Sequence, residues 1–187
     1  MSNEIRRKII DAAIMAFNID GVKFTMDTVA QSTGMSKKTI YKYFESKDDL
    51  ILAAVNEGFD EVKRAEQRII SNPDLDIVEK LKQVIVVIPD QYISVDWRRL
   101  KEFEDYSPRA FKQISERVST GWDSTFALLN EATREGKLRE VNPAIFKSMV
   151  DSCIAGFIND GTLVREGIAY RDALAEMINI LIEGIRK

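Results

Sequence analysis

The sequence predicts an all-α fold of about nine helices, and three observations carry that expectation. Apolar residues recur at three- and four-residue steps through most of the chain, the period of one helix face rather than the alternation of a strand. Apolar residues make up 45% and charged residues 30%, a globular balance, with only 4 prolines and 9 glycines. The prolines and several of the glycines fall between the periodic stretches, at Asp20-Gly21, Gly34, Asn72-Pro73, Pro89, Pro108, Gly136 and Asn142-Pro143, where helices would have to end or begin. At 187 residues the chain can bury a sizeable core, as one domain or as a small head joined to a larger body.

The first helix is predicted over 3–19, with Ile5, Ile9, Ala12, Ala13, Ala16 and Phe17 on one stripe. Asp20-Gly21 ends it, and Phe24 completes a small core with Phe17, Ile40 and Phe44. The stretch 25–47, TMDTVAQSTGMSKKTIYKYFESK, reads as two short helices joined by a tight turn. Val29, Ala30, Met35 and Ile40 pack the pair, with small Ala30 at the crossing, and Gly34 supplies the bend because glycine reaches positive φ at little cost. Ser36 caps the second helix. That places Lys37, Lys38 and Thr39 in its first turn, where a recognition helix points at base edges, and Tyr41, Lys42 and Tyr43 extend the polar face. Ser46 caps a third helix, with Asp48 and Asp49 favouring its positive end and Lys47 beside backbone amides that can hold a phosphate.

The charge pattern agrees. The whole chain carries a net charge of −3, so nucleic-acid binding requires a local patch. Between Ser36 and Lys47 the lysines 37, 38, 42 and 47 face only Glu45, which is such a patch; a solvated lysine face is the alternative. Lys37, Lys38, Thr39 and Lys42 are the candidate base readers. Thr25, Tyr41, Tyr43 and Lys47 are the candidate phosphate contacts, and Ser36 is a cap, a phosphate donor or both. Arg6, Arg7 and Lys8 touch phosphates or form a solvated first turn.

The run Thr25, Val29-Ala30, Gly34-Met35-Ser36-Lys37, Thr39-Ile40-Tyr41, Tyr43-Phe44, Ser46-Lys47 and Leu50 resembles the N-terminal signature of the TetR family of bacterial transcriptional regulators. The resemblance is close over the first quarter of the chain and elsewhere rests on helix count and spacing. It implies a helix-turn-helix DNA-binding domain at 1–47 and a helical effector-binding and dimerisation domain at 48–187. It further implies a homodimer on near-palindromic double-stranded operator DNA, a repressor released when a small molecule enters the C-terminal domain. Two positions depart from the family pattern: Lys38 stands where many members carry glycine or another small residue, and Lys42 where an aromatic is common. The operator sequence therefore does not carry over.

From Ser46 a long helix is predicted to about residue 70, with Leu50, Ala54, Phe59 and Val62 inward; it joins head to body and is the candidate transmitting element. Further helices are expected over 76–88, 91–105 and 107–135, the last ended by Gly136. The aromatics Phe59, Tyr92, Trp97, Phe103, Phe111, Trp122 and Phe126 line an apolar ligand cavity or are plain core. Asn142 and Pro143 open a helix bearing Phe146, Met149, Val150, Cys153, Ile154, Phe157 and Ile158. The residues 160–169 read as a loop, and a last helix carries Leu174, Met177, Ile178, Leu181, Ile182 and Ile185. Apart from Ile158, these residues are the candidate dimer interface, a four-helix bundle across a two-fold axis. Alternatively both helices close the monomer core.

Histidine is absent, which removes His-based acid/base catalysis, His-dependent triads and the commonest transition-metal ligand. No nucleophile motif, metal cluster or glycine-rich phosphate loop stands out. No catalytic residue, metal or cofactor is therefore assigned, and an enzyme is not expected. The single cysteine, Cys153, fits a reducing cytoplasm. The N-terminal run with Glu4, Arg6, Arg7 and Lys8 is not that of a signal peptide, and no stretch approaches the ~20 apolar residues of a membrane span. The competing reading is a DNA- or protein-binding module with no small-molecule effector.

Overall fold

A computed structural model describes residues 2–89, 92–93, 95, 97–159 and 161–187. Helices α1 (Ser2–Asp20), α2 (Met26–Thr33), α3 (Lys37–Tyr41), α4 (Lys47–Ser71), α5 (Ile77–Val86), α6 (Glu102–Tyr106), α7 (Pro108–Ser119), α8 (Asp123–Arg134), α9 (Pro143–Asn159), α10 (Thr162–Arg165) and α11 (Tyr170–Glu183) account for most of them. Short 3-10 turns lie at Gly21–Lys23 and Trp97–Lys101. No strand occurs among the described residues, where the nearest thing is one antiparallel bridge between Leu138 and Arg186.

Local chemistry accounts for the helix ends. Ser46 Oγ accepts from the Asp49 amide at 3.1 Å and donates to its carboxylate at 2.9 Å, starting α4. Asp76 accepts from the amides of Val78 at 2.7 Å and Glu79 at 3.0 Å at the head of α5, and the Glu79 bond leads in holding its carboxyl below the usual range. Asn142 likewise accepts from Ala144 and Ile145 before α9, satisfying amides that a helix start leaves open.

The chain divides into two compact units: Met1–Glu61 with Ser94–Thr120, and Val62–Ile93 with Gly121–Lys187. The first has a core of Ile9, Ala13, Phe17, Phe24, Val29, Ile40, Phe44 and Leu50, to which Phe103, Ala110 and Ile114 belong as well. Phe103 stacks on Phe17, ring centroids 5.1 Å apart. The small head read from residues 1–47 is thus completed by α6 and α7. In the second unit α5 packs on α8 and α11, and α9 on α11, around Val78, Leu81, Leu129, Leu138, Phe146, Val150, Ile178 and Ile182.

Three stretches differ from expectation. The helix expected over 107–135 is two helices, because Thr120 is extended and Gly121 takes φ 89°, a region that a side chain with Cβ rarely adopts; the Lys63 ammonium donates to the Gly121 carbonyl at 2.8 Å. Over 91–105, Gln91 lies outside the described residues, and a 3-10 turn precedes the short α6. There Arg99 reaches the carbonyls of Phe17 and Ile19, and Glu102 accepts from the Val22 amide, so tertiary bonds set the backbone. The loop expected over 160–169 contains α10, framed by Gly161 at φ 70° and Gly167 at φ 67°.

Candidate nucleic-acid interface

Helices α2 and α3 are built by capping at both ends. Thr25 Oγ1 accepts from the Thr28 amide at 3.1 Å and lies 2.9 Å from the Thr28 hydroxyl. Gly34 ends α2 at φ 68°, ψ 22°, with its amide returning to the carbonyls of Ala30 and Gln31. Ser36 Oγ then accepts from the Thr39 amide at 3.1 Å and lies 2.9 Å from the Thr39 hydroxyl. Val29 and Ile40 are fully buried, and Ala30 and Phe44 nearly so; this anchors the inner face of α3 and leaves the outer one to solvent.

On that outer face Lys38, Tyr41 and Lys42 are exposed, while Tyr43 is half-buried against the head core. Lys38 and Lys42 make no ion pair among the described residues. Lys37 does, to the Asp27 carboxylate of α2 at 2.5 Å, and that hydrogen bond raises its pKa above the ordinary lysine value. The α1 arginines are held elsewhere: Arg6 pairs with Glu57 at 3.6 Å and lies over the Phe44 ring, and Arg7 pairs with Glu61 at 3.6 Å. Lys47 is turned inward. Its ammonium donates to the Val22 carbonyl at 2.5 Å and sits 4.5 Å and 4.2 Å from the ring centroids of Phe24 and Tyr106.

Sequence reasoning overlooked Thr28, although a hydroxyl three residues after a capping threonine is a legible signal. It also overlooked Asp27, for which no comparable signal exists.

The aromatics assigned to a cavity are divided between the two units. Phe59, Trp97, Phe103 and Phe111 lie in the first unit, and Tyr92, Trp122 and Phe126 in the second. Phe103 is spent on Phe17, and Phe59 and Phe111 pack against the head core. Trp122 and Phe126 lie 5.7 Å apart, with the Lys147 ammonium 5.2 Å from the Trp122 centroid. A concavity of about 550 Å³ on α7 is lined instead by Arg109, Lys112, Gln113, Glu116, Arg117 and Thr120.

The residues assigned to a dimer interface also divide. Phe146, Val150, Leu174, Met177, Ile178, Ile182 and Ile185 are buried within the chain itself, in a core shared with α5, α8 and Leu138. Met149 is exposed, and Cys153, Ile154, Phe157 and Leu181 are half-buried. Ile145 and Ile180, not chosen from sequence, are the most open large apolar side chains of α9 and α11 among the described residues, at 62% and 64%.

Residues 9–54 match the model of "Bacterial regulatory proteins, tetR family". The chain is 27% identical over 179 residues to the uncharacterized HTH-type transcriptional regulator YvaF of Bacillus subtilis (strain 168), covering 96% of this chain and 94% of that protein. Its fold is similar to that of a transcriptional regulator from Saccharomonospora viridis solved in complex with choline, with a TM-score of 0.78, 18% identity and 99% of each chain covered. It is similar as well to FadR from Bacillus subtilis in complex with stearoyl-CoA, with a TM-score of 0.67, 20% identity and 96% and 99% of the two chains covered.

Proposed function

We propose that the chain belongs to the tetR family of bacterial regulatory proteins and that it is a homodimeric repressor of a near-palindromic operator, released by a small-molecule effector. The observation that carries the DNA-binding part is the double anchoring of α3: Ile40 fixes it from below and the Ser36 cap fixes its start, so Lys38 and Lys42 are presented on a rigid face. Lys37, Lys38, Thr39 and Lys42 are assigned to base edges, and Thr25, Ser36, Tyr41, Tyr43 and Lys47 to the backbone. Two heads on successive turns of one DNA face would stand roughly 34 Å apart.

Dimerisation is assigned to the outer faces of α9 and α11, where Ile145, Met149 and Ile180 remain exposed beside half-buried Cys153, Ile154, Phe157 and Leu181. Exposed apolar side chains clustered on two packed helices are what a second copy would cover. That relatives in this fold are solved with stearoyl-CoA or with choline supports an effector without choosing its class. The packing of Phe103 on Phe17 favours a second reading, a regulator whose body is filled and takes no small molecule. We assign the protein no catalytic role and place it in the cytoplasm with its DNA.

Selection of bound fragments from genomic DNA tests the proposal. A two-fold symmetric site whose affinity falls steeply with salt is the expected result; enrichment of only asymmetric sites would overturn the dimeric reading.

A further inference from the structure

The ammonium of Lys47 is enclosed on three sides. The Val22 carbonyl accepts one of its protons at 2.5 Å, and the ring faces of Phe24 and Tyr106 stand 4.5 Å and 4.2 Å away. An ammonium has three donors and no acceptor, and an aromatic face attracts it through the ring quadrupole. A phosphate approaching Lys47 therefore competes with groups already in place.

Two of those groups belong to the helix-turn-helix region itself, whereas Tyr106 comes from the end of α6, far along the chain. Its neighbours hold it there. Glu102 accepts from the Val22 amide at 3.0 Å, Arg99 reaches the carbonyls of Phe17 and Ile19, and the Ser107 hydroxyl donates to the Asp48 carboxylate next to Lys47. The turn after α1 and the first residues of α4 are gripped by one short segment, and Tyr106 is the part of it that meets the charge.

We propose that Tyr106 is a positioning residue for Lys47, holding its charge back from the DNA backbone and so lowering affinity for every sequence alike. The inference rests on the phosphate role proposed above for Lys47. Nothing in the core depends on Tyr106, which is 47% exposed, so replacing it leaves the fold standing.

The test is titration of a labelled mixed-sequence duplex over a range of salt concentrations with Tyr106→Leu, Tyr106→Phe, Lys47→Met and the double variant Lys47→Met/Tyr106→Leu. Loss of one ring face should raise affinity about two- to five-fold, by the same factor on a selected operator duplex, and Tyr106→Phe should behave as the parent. In the Lys47→Met background the gain should vanish. If Lys47→Met alone changes neither affinity nor the salt slope, the phosphate role itself fails. If Lys47→Met lowers the slope but Tyr106→Leu gives no gain, or the gain survives in the double variant, the phosphate role stands and the positioning role is refuted.

Discussion

Gly21 and Gly34 both occupy the left-handed region, at φ 59° and 68°, yet alanine should cost different amounts at the two. The backbone penalty is shared, roughly 1–2 kcal/mol for an L-residue held there. At Gly34 nothing lies within 4 Å of where a Cβ would stand, so the cost ends with the backbone. At Gly21 the new Cβ would collide with Glu102 Oε2 and come within 2.8 Å of Arg99 Nη1. Both are ends of flexible side chains and can move aside. Moving them breaks the Glu102 bond to the Val22 amide and the long Arg99 bonds to Phe17 and Ile19. Glu102 is 39% exposed, so its bond is worth about 1 kcal/mol net, at the low end for a charged acceptor. Gly21→Ala should therefore cost about 2–3 kcal/mol and Gly34→Ala about 1–2 kcal/mol.

Urea unfolding followed by circular dichroism, compared at constant slope, measures the difference. The excess at Gly21 should shrink when Glu102 is first replaced by alanine, since the closest clash and the bond it destroys are then absent and only the Arg99 contact remains. Coupled neighbours must show such non-additivity. Equal costs at the two glycines in the parent protein, or an excess at Gly21 that Glu102→Ala leaves undiminished, would refute the reasoning.

Other consequences follow from the caps, the buried phenol and the α9 face. Asp76→Ala should lower stability by about 1 kcal/mol; because the folded carboxyl is held below its ordinary range, chiefly by the Glu79 amide, the loss relative to the parent should be full near neutrality and shrink as pH falls through that depressed value. Burial pushes the Tyr170 hydroxyl up to about 12. Its contribution to stability is complete below the ordinary tyrosine value near 10 and is lost as pH rises toward 12, so the gap between the melting temperatures of parent and Tyr170→Phe should stay constant below about pH 10 and change in that alkaline window. Ile145→Glu should abolish self-association in sedimentation with the melting temperature of the separated chain unchanged. Val150→Glu, at a fully buried position of the same helix, should unfold the protein because it buries an unpaired charge.

What could be read in the sequence is what closes over a few residues. Thr25, Gly34 and Ser36 make their decisive bonds within five residues, so the helix-turn-helix was legible down to its caps. The stripes on α9 and α11 said that Phe146, Val150, Leu174 and Ile178 are buried, but no stripe says by what, and α5 and α8 of the same chain cover them. The break at Gly121 was hidden because Val118, Trp122 and Phe126 keep helical spacing across it; Ser119-Thr120-Gly121 was the available signal. Trp97 and Phe103 were recognisable as apolar residues near one another, whereas the bonds that Arg99 and Glu102 make to the end of α1 and the turn after it have no local signature.

The same distinction governs the charge on the head. Counting lysines from Ser36 to Lys47 gives a strong patch, but in the folded chain Lys37 shares its charge with Asp27 and Lys47 is enclosed by Val22, Phe24 and Tyr106. Arg6 and Arg7, which a sequence count would add, are paired with Glu57 and Glu61. The cations left without an ion pair among the described residues on α3 and at its end are Lys38 and Lys42, two positions at which this chain departs from the pattern of the family it resembles. Sequence-independent binding scales with the phosphates neutralised, whereas discrimination comes from groups that reach base edges. On the function proposed above, tying up the surrounding charge while leaving those two lysines unpaired should keep affinity for arbitrary DNA low and leave the choice of operator to the residues most particular to this chain.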